Sequence, residues 1–227
     1  MKVLKFGGTS VGSAERMKGV AKLIADGEQK IVVLSAMSGT TNSLVEISDY
    51  LYKKNPEGAN EIINTLESKY KKHIDELFST EQYKKETFEL VESVFDYIRS
   101  FTKDIFTLFE ERVILSQGEI MSTNMMTNYL REQGIKATLL PALEYMRTDK
   151  NCEPDLSYIR EKLSALLEAN PDSDIYITQG YICRNAYGEI DNLQRGGSDY
   201  SASLIGAAIH ASEIQIWTDI EIGRAHV

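Results

Sequence analysis

Short apolar runs alternating with amphipathic helical stretches, glycine-bounded turns between them, and no internal repeat predict an α/β sandwich with a largely parallel sheet. Val3 to Phe6 reads as the first strand. Ser13 to Asp26 reads as a helix, because Met17, Val20, Ala21 and Ile24 share one face and Gly27 supplies a C-terminal stop. A second strand, IVVLSA at 31–36, has the near-continuous apolar run expected when both faces of a sheet are covered. Next comes a long helical stretch. Ile63, Leu66, Tyr70, Ile74 and Leu77 recur at three- and four-residue steps, and Phe88, Val91, Phe95 and Ile98 repeat the pattern. Glu111 to Glu132 reads as a further helix closed by Gly134, and IKATLLPA as a third strand. A helix over 155–169 precedes a fourth strand, DIYITQGYI, then a turn around Gly188, a helix from Tyr200 to Ala211 and a last strand, EIQIWTD.

Composition narrows the function classes. The chain has 227 residues, 42% hydrophobic and 26% charged, enough for a sizeable core in one large domain or two small ones. Its formal net charge of −9 repels a polyanion, and the lysines are scattered among glutamates, so a nucleic-acid partner is not expected. No apolar run approaches the ~18 residues that span a bilayer, and the N-terminus runs directly into a strand; neither a membrane nor secretion is expected. Cys152 and Cys183 are too few for a disulfide framework and too far apart for a metal knuckle, so a reducing, cytoplasmic setting is the default. His73, His210 and His226 lack ligand spacing and carry no expected catalytic role. Met121, Met125 and Met126 read as core filler.

Five polar clusters fall at the ends of predicted strands, where open α/β sheets place their ligands. They are 5–10 (KFGGTS), 35–42 (SAMSGTTN), 117–122 (QGEIMS), 194–199 (QRGGSD), and Thr218 with Asp219. Each alone has an ordinary structural reading: a capped tight turn, a Ser/Thr turn, a solvated helix glutamate at Glu119, an Arg195 ion pair with Asp191, a helix cap at Asp199. Taken as one site they describe a reaction. Glycines at a helix N-terminus offer free N–H groups to phosphate, and Lys5 adds a point charge beside them. Arg195 suits a carboxylate gripped by two hydrogen bonds, with the Ser198 and Thr41 hydroxyls completing its orientation. Glu119 suits an ammonium group. An acceptor bearing both is an amino acid.

KFGGTSVG, LSAMSGTTN, QGEIMS, MRTD at 146–149, TQGYI, LQRGGSDY and WTD, in this order and spacing, resemble the aspartate kinases of the amino-acid kinase fold, from Lys2 to about Ile220. Kinases of the same fold acting on glutamate, acetylglutamate, carbamate or nucleotide monophosphates share the glycine-rich segment without the whole set. The resemblance implies a three-layer αβα sandwich, C-terminally incomplete here. It also implies phosphoryl transfer from ATP with Mg²⁺ to the β-carboxylate of L-aspartate, the first step towards lysine, threonine and methionine, and a homo-oligomer in the full-length protein. By the same resemblance Lys5, Phe6, Gly7 and Gly8 form the ATP-phosphate segment, and Thr218 and Asp219 begin the nucleotide-contacting one. Thr41, Glu119, Arg195, Gly196, Gly197 and Ser198 contact aspartate, and Asp199 orients Lys5 rather than acting as a base. A carboxylate nucleophile is already ionised at neutral pH, so no general base is needed.

The family pattern is left at the end of the chain. Residues 1–220 read as an incomplete catalytic domain. Residues 221–227 (EIGRAHV) read as non-native, since they translate GAG ATC GGA AGA GCA CAC GTC, which contains a sequencing-adapter sequence. Two alternatives stay open at this stage: a kinase of another small acid such as glutamate, and an inactive fragment.

Overall fold

A computed structural model describes the chain except residues 104, 194–196 and 219–227. Five parallel strands form the central sheet: β1 (Lys2–Phe6), β2 (Lys30–Leu34), β3 (Ala137–Leu140), β4 (Ile175–Gln179) and β7 (Glu213–Trp217), in the order β3-β4-β2-β1-β7. A two-stranded antiparallel hairpin, β5 (Ile182–Arg184) with β6 (Ile190–Asn192), stands apart from it. Helices cover both faces of the sheet, as expected for a three-layer sandwich.

Alternation within the strands sorts the core into two halves. Leu4, Phe6, Val32, Leu34, Ile175 and Ile177 face α1 (Ala14–Ile24), α2 (Thr40–Tyr52), α3 (Pro56–Leu77), α4 (Glu81–Ser100) and α5 (Leu108–Glu132). Val3, Ile31, Val33 and Tyr176 face α6 (Ala142–Tyr145), α7 (Leu156–Glu168) and α8 (Gly197–Ala208). From β1 the chain first builds towards β2, β4 and β3, then returns to lay β7 on the other side of β1. Strand order therefore reverses at β1, and a doubly wound sheet opens its ligand crevice beyond the C-terminal end of such a strand.

Local chemistry explains the boundaries. Ser13 caps α1 by accepting the Arg16 N–H at 3.2 Å, so the helix begins one residue later than its apolar face suggests. Thr107 and Glu110 form a reciprocal capping box that starts α5 at Leu108. Lys30 is buried in β2 yet satisfied, because its ammonium donates to the Ile24 carbonyl at 3.1 Å and pairs with Asp26.

Four sequence expectations need correction. The cluster 117–122 is not at a strand end but in the middle of α5, which carries it against the segment after β2. The run DIYITQGYI is not one strand: Tyr181 takes φ 69° and the chain turns between β4 and β5. SAMSGTTN leads into a helix, α2, that its polar start concealed. The last helix begins at Gly197 and ends at Ala208, three residues earlier at each end than its apolar pattern suggests. Met121, Met125 and Met126 are fully buried among the helices, as expected of core filler. The expected non-native residues 221–227 lie outside the described residues.

Candidate active site

Period-two alternation decides where Lys5 goes. Its neighbours Leu4 and Phe6 point towards α1, so Lys5 shares the opposite face with Val3 and meets the first turn of α8. The residue is only 8% exposed. Its Nζ lies 2.7 Å from Asp199 Oδ1, an ionic contact that leaves the carboxylate oxygen without an aligned hydrogen bond. A buried ammonium needs such a counter-charge, and Asp199 supplies it. Asp199, expected from the sequence to orient Lys5, is thus placed in contact with it.

The glycine turn follows at once. The Ser10 N–H donates to the Gly7 carbonyl at 3.1 Å and the Ser38 N–H to the Gly8 carbonyl at 3.0 Å, stitching the turn to the segment after β2. A Cβ on Gly8 would sit 2.6 Å from the Ala36 carbonyl oxygen, so only glycine permits this approach. A Cβ on Gly7 would meet Lys5 Nζ at 3.6 Å, so the missing side chain keeps the space beside that ammonium open. Phe6 behaves differently. Its ring is buried and stacks on Trp217 at 5.7 Å between centroids, which leaves only its main chain for the site.

Ser35, at the end of β2, joins the remaining parts. Its N–H donates to the Phe6 carbonyl at 3.2 Å and its hydroxyl to the Ser198 hydroxyl at 2.8 Å. Its carbonyl accepts the Ser122 hydroxyl at 2.8 Å. The start of α8 is thereby tied to β2, β1 and α5 together. Gly180 is equally required, because a Cβ there would lie 2.7 Å from Ser198 Cα.

Glu119 is not a solvated helix glutamate. It is 4% exposed, its Oε1 accepts the Ala36 N–H at 3.3 Å, and its Oε2 has no partner. Burial pushes its carboxyl up to about 8, opposed by backbone hydrogen bonding, from Ala36 first and then from its own N–H. Tyr181 senses the same charge: burial first, then Glu119, raises its hydroxyl above the ordinary range. A cation arriving here would find an acceptor oxygen waiting for it.

Of the other predicted residues, Thr41 is exposed in the first turn of α2, next to the buried Thr40. Gly197 takes φ 45° as it opens α8, and Thr218 is exposed just beyond β7. Arg195, Gly196 and Asp219 lie outside the described residues. Asp191, the alternative partner considered for Arg195, pairs with Arg112 at 3.2 Å. That pair, with Thr148, Tyr200 and Ser203, lines a cavity of about 670 Å³ beside Asp199. His73 is buried with Nε2 unpartnered, and burial depresses it to about 4.

Sequence reasoning did not assign Ser35, Gln179 or Tyr181. Ser35 was visible as the first residue of a quoted cluster. Gln179 stood in the motif TQGYI without a role, because its amide links Ala142 N–H at 2.7 Å and Thr123 Oγ1 at 2.8 Å, partners 37 and 56 residues away.

The sequence model of the amino acid kinase family matches residues 1–221. Lysine-sensitive aspartokinase 3 of Escherichia coli is 31% identical over 222 residues, covering 96% of this chain and 49% of the relative. The aspartokinase of Chlamydia trachomatis is 32% identical over 224 residues, covering 96% and 48%. A solved structure of E. coli aspartokinase III with lysine and aspartate superposes with a TM-score of 0.85 at 31% identity, over 97% of this chain and 49% of that one. The same enzyme with aspartate and ADP gives 0.84 over the same shares. This chain spans about half the length of these relatives, and it belongs to the amino acid kinase family.

Proposed function

We propose that this chain carries the acceptor half and the phosphate-binding turn of an aspartate kinase, which moves the γ-phosphoryl of ATP onto the β-carboxylate of L-aspartate. The observation that carries the reading is the joining of Lys5–Asp199 to the buried, half-satisfied Glu119 through Ser35 and Ala36. One end of that array suits phosphate and the other an ammonium group.

The chemistry follows from placement. A carboxylate oxygen of the acceptor forms the new bond to the γ-phosphorus, the bond from that phosphorus to the β–γ bridging oxygen breaks, and ADP leaves with the electron pair. The acceptor is ionised at neutral pH, so the protein's work is alignment and charge stabilisation. Lys5 would meet the charge on the transferring group, with the N–H groups of Gly7 and Gly8 beside it. Glu119 would accept from the acceptor's ammonium through Oε2. Arg195 would grip a carboxylate, with Thr41, Gly196, Gly197 and Ser198 around it, and Thr218 and Asp219 would begin the nucleotide wall.

Gly7 leaves the space beside the Lys5 ammonium clear of a side chain, and Gly8 lets the turn pack against Ala36. Mg²⁺ is proposed as the ion that would accompany ATP and offset the charge of its phosphates. No described helix is long and apolar enough to cross a membrane. A cytoplasmic location and a homo-oligomeric full-length form are proposed from the family resemblance alone.

Trapping the acyl phosphate with hydroxylamine tests the reading. The chain should yield hydroxamate from L-aspartate with MgATP, L-glutamate should serve poorly, and Lys5→Ala should lower turnover at least about 100-fold. Preference for glutamate would replace the substrate assignment. No product from any small acid would leave an inactive fragment.

A further inference from the structure

We propose, building on the acceptor site described above, that Tyr70 is a positioning residue for the amino-acid acceptor: its hydroxyl, acting through Thr40, sets the placement of Thr41 and Glu119.

Tyr70 lies in α3, outside every strand-end cluster, and is fully buried. Its hydroxyl forms a 3.0 Å hydrogen bond with Thr40 Oγ1, and Thr40 is itself fully buried at the start of α2. The preceding side chain, Lys69, donates to the Ser38 carbonyl at 2.6 Å. Consecutive residues of α3 therefore hold the chain on both sides of Gly39, whose φ of 81° makes this turn a place where the backbone changes direction. Opposite Tyr70, Thr40 packs on α5 at Gly118, where an added Cβ would lie 3.2 Å from Thr40 Cγ2 and 2.7 Å from Ala36 Cβ. Thr40 is thus wedged between Tyr70 and Gly118, and the next residue along each chain, Thr41 and Glu119, is an assigned acceptor contact.

Proximity to the site has a second sign. Burial raises the Tyr70 hydroxyl well above its ordinary range, the Thr40 hydrogen bond opposes this, and the charge of Glu119 adds to it. Tyr70 therefore stays a neutral hydroxyl that bonds Thr40 whether or not Glu119 is ionised. Its ring stands edge-on to Phe95 at 5.8 Å, so removing only the hydroxyl leaves the packing in place.

Steady-state kinetics of the wild-type chain and of Tyr70→Phe, Thr40→Val and Thr40→Ser, by hydroxamate formation, tests this role. Tyr70→Phe should raise the KM for L-aspartate about 5- to 20-fold, with kcat and the KM for ATP within about twofold. Thr40→Val should match it, the double variant Tyr70→Phe/Thr40→Val should be no worse than either single one, and Thr40→Ser, which keeps the hydroxyl but loses the methyl packed at Gly118, should give an aspartate KM closer to the wild type than Thr40→Val does. A merely structural pair would move both KM values together or neither, and would overturn the inference. An unchanged aspartate KM in Tyr70→Phe beside an active wild type would sink this inference alone. A wild type that phosphorylates no small acid would sink the acceptor site and the inference together.

Discussion

Glu119 shows how one side chain converts position into pH dependence. Its carboxyl ordinarily titrates near 4.5 and here is pushed up to about 8 by burial. A raised acid favours the folded state only while protonated, so that contribution is complete below about pH 4.5 and is lost as pH rises through 8. Gln cannot ionise and keeps an acceptor for the Ala36 N–H. Glu119→Gln should therefore match the wild type in stability near pH 5 and exceed it at pH 9, by on the order of 3–4 kcal/mol. Urea melts of both proteins at the two pH values check this. A difference that does not grow with pH would show that the carboxyl is paired in the folded chain.

At the scale of elements, the site depends on helices approaching strand ends more closely than side chains normally allow. Gly180 follows β4 and touches the start of α8 directly, with a hypothetical Cβ 2.7 Å from Ser198 Cα. The helix must move if that atom is added, because the obstacle is backbone. Gly180→Ala should thus break the Ser35–Ser198 contact, lower hydroxamate formation at least about 10-fold, and destabilise the fold by about 1–3 kcal/mol. Full activity with unchanged thermal stability would mean that α8 is not held where these contacts put it. Gly118 plays the same part between α5 and the turn before α2.

On the scale of the whole molecule, β7 is the exception to an otherwise covered sheet. It pairs with β1 on one side, and Ile214, Ile216 and Trp217 are 41%, 43% and 41% exposed. An apolar edge strand invites pairing with another chain, and a lysine on such an edge opposes it. Ile216→Lys should reduce concentration-dependent self-association of this chain, measured by light scattering, without altering its melting temperature by more than a few degrees. Unchanged association would place the sticky surface elsewhere. The formal charge of −9 works in the same direction by general repulsion.

What the sequence by itself determined was the alternation of strands and helices and the identity of the polar clusters, because periodicity and turn chemistry are local. The apolar run before Lys5 and the two glycines after it marked a strand ending in a tight turn without any knowledge of the rest of the fold. Other features were decided only by tertiary structure. Glu119 looked like a surface glutamate until β2 delivered the Ala36 N–H to it, and Tyr70 looked like one more residue of a helix's apolar face until its hydroxyl met Thr40, 30 residues earlier. A side chain's surroundings come from distant segments, so burial, orphaned oxygens and glycine-only contacts appear only when the sheet brings those segments together.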